Sequence, residues 1–202
     1  MEKMQKRFVV ILVALIVWVV TLTFSGAAGS AAPSQENISS KALTQQHLTS
    51  VYTDFAKCRT LQEPSDTNLT LLRRCPGVAG FKVLLQWDDD ALTATMVTPK
   101  GRKFDLGISE LFAQSKPYAD LRSKAEWRVK REHGAVVPVA LIVRVDPMND
   151  MSTNDRPFLA VAKITKDEIC ITDKIDTGTN ENEVARRAAD LAVKKPCLKS
   201  GE

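Results

Sequence analysis

Four cysteines in two sequence-local pairs, Cys58 with Cys75 and Cys170 with Cys197, stand behind an apolar leader, and together they set the conditions under which this chain folds. The leader has three parts: a basic start (Lys3, Lys6, Arg7), an apolar run from Phe8 to Val20 extended through Leu22 and Phe24, and a small-residue stretch from Ser25 to Ala32. That is the layout of a secretory signal peptide over residues 1–32. Cleavage near Gly29 to Ala32 would leave about 170 residues. Retention would instead anchor the chain in the inner membrane through residues 8–24, whose about 17 apolar positions lie at the short end of a bilayer span. Either outcome puts the C-terminal part outside the cytoplasm, in the periplasm or the extracellular space, because the basic residues precede the apolar run. In such a compartment disulfides persist.

Four cysteines allow three pairings. Locality argues for Cys58–Cys75, joining two successive strands across the polar segment Gln62 to Asn68, and for Cys170–Cys197, fastening the end of a helix to the strand before it. Closing loops of this size stabilises a fold by roughly 3 kcal/mol each in the chain-entropy picture. The spacings fit neither a redox Cys-x-x-Cys nor the paired ligands of a structural zinc site.

Residues 33–49 are rich in Ser, Gln and Thr and read as a solvated spacer, with the globular domain occupying 50–199. Within the domain, period-two alternation and short apolar runs predict strands at 51–59, 69–75, 80–87, 91–98, 125–132, 136–145, 157–165 and 168–175. Asp88-Asp89-Asp90 and Glu132-His133-Gly134 are expected turns, 146–156 a loop, and 108–115 a short helix. The strongest helix is 181–194. Val184, Ala185, Ala188, Leu191 and Ala192 form its stripe, with Arg186, Arg187 and Asp190 on the other side. Thr179 or Asn180 is its expected cap, and Pro196 its stop. The predicted class is α+β and β-dominated: a mostly antiparallel curved sheet or small barrel with this helix packed on it. On strand 168–175, Ile169, Ile171 and Ile175 share one face and Cys170 takes the other. The helix carrying Cys197 therefore covers the face opposite the main core, or else that disulfide lies at a sheet edge.

Composition narrows the function classes. The chain has 28 basic and 24 acidic residues, and removing the leader leaves 25 against 23, a net charge of +2. Scattered charge of this kind lacks the basic stripe of a nucleic-acid binder, so no nucleic-acid partner is expected. There are two histidines, His47 in the spacer and His133 in a turn. The G-x-S-x-G, H-E-x-x-H and glycine-rich phosphate patterns are missing. No catalytic residue, metal site or cofactor is assigned. The best constellation is Glu126-Trp127-Arg128 with Arg144. In an extended strand Trp127 faces one way and Glu126 and Arg128 the other. Arg144 sits inside a strongly apolar strand, where an unpaired guanidinium is costly. Two readings apply: Glu126 pairs with Arg144 or Arg128 across neighbouring strands, or Trp127 beside the arginines forms a groove for an anionic or sugar ligand.

Read in order, Cys75-Pro76-Gly77-Val78-Ala79-Gly80-Phe81, Glu126-Trp127-Arg128, Val139 to Arg144, and Glu168-Ile169-Cys170 followed by the alanine-rich helix ending at Cys197 resemble a family of exported bacterial proteins of unassigned activity. The resemblance covers roughly residues 51–198. It implies a bacterial periplasmic or cell-surface domain with two local disulfides and carries over no catalytic residues. The expected function is a non-catalytic module that binds an envelope protein or polymer. The alternatives are an envelope hydrolase using carboxylates, which requires a cleft where two acids converge, and a membrane-anchored structural accessory, which requires the leader to stay attached. In every case the membrane is touched only through the N-terminal segment.

Overall fold

A computed structural model describes residues 47–88, 91–111, 119–147 and 156–199. The predicted leader and most of the spacer lie outside these residues. Ten strands and one α-helix follow in chain order: β1 (Thr49–Asp54), β2 (Arg59–Gln62), β3 (Leu71–Pro76), β4 (Lys82–Asp88), β5 (Ala91–Val97), β6 (Lys103–Asp105), β7 (Ala119–Glu132), β8 (Ala135–Pro147), β9 (Phe158–Ile164), β10 (Ile169–Asp176) and α1 (Glu181–Leu191). All strand pairing is antiparallel. The β-dominated α+β class with one C-terminal helix is thus the observed one. Its sheet arrangement is not a single curved sheet or a barrel, however. The strands form two five-stranded sheets, ordered β1-β7-β8-β9-β10 and β2-β3-β4-β5-β6, whose edges do not pair with each other.

The separation into two sheets starts at a break inside the predicted strand 51–59. Phe55–Lys57 forms a 3-10 turn, capped by the Asp54 carboxylate accepting from the Ala56 N–H at 2.9 Å. Phe55 is buried there. The turn takes the chain out of the first sheet, and Cys58, bonded to Cys75, fastens the start of β2 to β3. Between the sheets lies the main core: Val83, Leu85, Leu92, Ala94 and Met96 from the second sheet meet Trp127, Val129, Leu141, Val143, Val145 and Phe158 from the first. Face-to-face packing of this kind buries the inward member of each alternating pair. At the β7–β8 hairpin, His133 and Gly134 both have positive φ, 49° and 80°, which suits a tight two-residue turn.

The helix covers the outer face of the first sheet. Ala185, Ala188, Ala189 and Ala192 pack on Ala140, Ile142, Leu159 and Val161. β9 is therefore enclosed on both sides, and every residue from Phe158 to Ile164 is buried. The buried stripe is displaced from the predicted one: Val184 and Leu191 are exposed, and the four alanines at i, i+3, i+4 and i+7 make the contact. Small side chains let the helix axis sit close to the strands. Asn180 holds the cap position with φ 66° but makes no side-chain capping bond; the Glu181 carboxylate accepts from the Gly178 N–H instead. The helix runs on through a 3-10 turn at Ala192–Lys194 before Pro196.

Cys170–Cys197 is formed, with Cys197 on the outer, helix side of β10, which is also the sheet's edge strand. Both sequence alternatives for this bridge therefore hold together. The register of β10 shifts between Ile171 and Asp173, a bulge at Thr172. Ile169 and Ile171 enter the main core, but past the bulge the phase inverts and Ile175 packs with the helix cluster. The expectation of one shared isoleucine face fails for that reason. The predicted helix at 108–115 is a 3-10 turn over Ile108–Leu111, with 112–115 outside the described residues.

Candidate functional site

The grouping Glu126, Trp127, Arg128 and Arg144 divides across the first sheet. Trp127 is fully buried in the inter-sheet core, 6.4 Å from Phe81 between ring centroids, and its indole N–H donates to Thr53 Oγ1 at 2.9 Å. It lines no groove with the arginines. Glu126, Arg128 and Arg144 lie on the opposite, outer face, where they meet the helix.

There the charges alternate in three strand-to-helix contacts. Arg144 donates to Glu181 at 2.9 Å and to Asp146 at 3.2 Å. Arg186 grips Glu126 with two bonds of 2.7 and 3.2 Å. Arg128 grips Asp190 with two of 2.7 and 3.0 Å. Ser50 joins the latter two, donating to Glu126 and accepting from Arg128, while Tyr52 accepts from Arg186. The cross-strand pairing of Glu126 with Arg144 or Arg128 is thus replaced by pairing to the helix. Spacing explains why: residues i and i+2 on a strand are about 6.6 Å apart, and i and i+4 on a helix about 6 Å apart. Glu-x-Arg on β7 therefore matches Arg-x-x-x-Asp on α1 in pitch and in opposite sign. Arg186 and Asp190 flank the buried stripe; among the three polar positions assigned to the far side, Arg187 alone pairs along the exposed surface, with Glu183. This pitch match was present in the sequence, but it becomes a signal only once the helix is known to lie across β7.

Burial pushes the Glu126 carboxyl upward, but hydrogen bonds from Arg186 and Ser50, with the Arg186 charge, outweigh it and hold the group below the usual glutamate range. A carboxylate lowered in the folded state contributes stability that is present above its unfolded pKa and lost as pH falls through its folded one. Glu126→Gln should therefore cost about 1–2 kcal/mol at neutral pH, the lower part of the range for a charge-assisted bond because Arg186 is 41 % exposed. The difference in urea midpoint between the two proteins should shrink below about pH 5. A difference that stayed constant into acid would show that this ion pair is not what the substitution removes.

Beside the Arg128–Asp190 contact opens a groove of about 970 Å³, within the size range of ligand sites. Leu48, Val139, Leu191 and Val193 supply apolar surface, and Arg128, Lys130 and Lys194 line it with positive charge. Leu191 and Val193 are 53 % and 46 % exposed. The helix residue left off the alanine stripe, Leu191, is what makes one wall apolar, and the sequence reading had counted it as core. Of the basic residues, Arg128 is engaged with Asp190 and Lys130 with Glu132. Lys194 has no ion-pair partner among the described residues.

Comparison with protein-family models, curated proteins and solved structures returns no match. The two bridges belong to an oxidising, extracellular-type environment. Among the described residues no helix is long and apolar enough to cross a membrane.

Two other acidic places have structural occupations. Asp88, read as a turn acid, accepts from Thr70 and Gln86, and these bonds lower its pKa; Asp89 and Asp90 lie outside the described residues, as do 148–155 of the predicted 146–156 loop. Glu168 stands close to Cys170 and Cys197, with ligand-type atoms within 4.8 Å. Because those two sulfurs are bonded to each other, neither is a thiolate that would bind a metal.

Proposed function

We propose that this protein is an exported bacterial binding module, without catalysis of its own, whose groove between the C-terminal end of α1 and strands β7 and β8 holds an acidic, partly apolar segment of an envelope protein. The groove's lining carries the reading: exposed Leu191 and Val193 stand beside Lys194, Lys130 and Arg128, with Asp190 the one acid among the lining residues, so apolar contact and a net positive charge are offered on one concave surface.

The test places a photoreactive side chain at Val193 in the full chain within its exporting host and identifies the trapped fragments by mass spectrometry. The expected result is one reproducible acidic, partly apolar peptide, lost at least tenfold in Leu191→Asp/Lys194→Glu. Labelling indistinguishable from a probe at Leu69, which is 64 % exposed on another part of the surface, would overturn the reading. So would capture of a neutral polymer that tolerates the double substitution.

A further inference from the structure

Each sheet ends in two edge strands, and three of the four are guarded. β10 carries the bulge at Thr172, and the Leu198 N–H bonds to the Ile171 carbonyl at 2.8 Å, so the C-terminal tail occupies part of that edge. β2 is four residues long, begins with Arg59, and shifts register between Thr60 and Gln62. β6 has three residues, two of them Lys103 and Asp105. Short length, charge, bulges and covering segments are how edges avoid unplanned pairing.

Among the described residues β1 carries no bulge and no covering segment, and its one charge, Asp54, stands at its end. It runs six residues, Thr49 to Asp54, in unbroken register against Val129 to Lys124. Its first five residues, Thr-Ser-Val-Tyr-Thr, are uncharged, contain no proline, and are mostly types that suit a pleated surface. Val51 and Tyr52 are 36 % and 47 % exposed. Among the described residues no strand pairs with its outer side.

We infer that β1 is a docking edge for a second copy of this chain, the two β1 strands pairing antiparallel about a two-fold axis at Val51. A two-fold interface must be self-complementary, and this strand is. The register sets Val51 against Val51 of the second copy, Ser50 against Tyr52 and Thr49 against Thr53, so apolar meets apolar and hydroxyl meets hydroxyl. Asp54 falls opposite Leu48 rather than another carboxylate, so no like charges oppose. Opposed residues share a sheet face, which puts both helices on one side of a continuous ten-stranded sheet built from two five-stranded ones. This pairing stands on the strand alone and does not depend on the groove reading. If both hold, two grooves on one side would engage a repetitive partner with a gain in avidity.

Sedimentation velocity of the full chain, with its disulfides intact, tests this across a concentration series. A monomer–dimer equilibrium is expected, weakened at least tenfold by Val51→Lys, which opposes two cations on the axis, and unchanged by Leu69→Lys. To separate loss of pairing from loss of folding, Val51→Cys should give a disulfide-linked dimer on non-reducing electrophoresis, while Leu61→Cys on the β2 edge stays monomeric. A monomer at every concentration overturns the inference. So does a dimer indifferent to Val51→Lys, or Val51→Cys that links no better than Leu61→Cys.

Discussion

Trp127→Ala should destabilise the domain by about 3–5 kcal/mol, the range for deleting a large buried aromatic ring. Trp127 is among the largest fully buried side chains, and it sits where the two sheets face each other. Its removal leaves a cavity bounded by β-strands on both sides, which cannot close by moving one loop, and it leaves the Thr53 hydroxyl without its donor. Trp127→Phe keeps most of the ring volume and gives up the hydrogen bond, so a loss nearer 1–2 kcal/mol is expected from the bond and the smaller ring together. Urea unfolding of the three proteins checks the order. Near-equal midpoints for Trp127→Ala and the parent would mean that the inter-sheet core is not organised around this residue. Any binding defect of a Trp127 variant reports folding first, because the side chain reaches no surface.

Replacing Cys170 and Cys197 together by alanine should cost about 3 kcal/mol. The bridge closes a 27-residue separation that contains the whole of α1. It stands at one end of the helix layer, and the charged contacts from Arg144, Glu126 and Arg128 hold the rest. Against a usual domain stability of about 5–15 kcal/mol the loss is large. Thermal unfolding should show the drop in the double variant, and a reductant, which opens both bridges, should lower the parent further than the double substitution does and lower the variant through Cys58–Cys75 alone. A variant as stable as the parent would mean that the alanine stripe and the charged contacts hold the helix without the bridge.

Most strands were readable because alternation survives wherever one sheet face is buried and the other is not. Ala91–Val97 coincides with the predicted run almost residue for residue. β6 was missed because three residues carry no period. The first half of β7 was missed because its register shifts between Leu121 and Ala125, which breaks the alternation that a sequence reading counts. Phe55–Lys57 was absorbed into a strand because the apolar pattern continues through a turn whose bend is made by one backbone-to-carboxylate bond. Among the site residues, Glu126, Arg128 and Arg144 were recognisable as charges needing partners. Their partners 37 to 62 residues away were not, since pairing at that range depends on which face of which strand the helix lies across.

Sequence alone determined the elements and their constraints: local alternation selects strands, the alanine-rich 3.6-residue period selects a helix, and two sequence-local pairs of cysteines favour local bridges in an oxidising space. These depend on contacts within a few residues, or on pairs few enough to enumerate. The tertiary structure alone decided that the strands separate into two packed sheets, that Trp127 and its charged neighbours act on opposite faces, and that Leu191, left off the buried stripe, opens a groove beside Arg128. Those outcomes rest on burial between segments far apart in the chain, where a one-residue bulge such as that at Thr172 moves every following side chain to the other face.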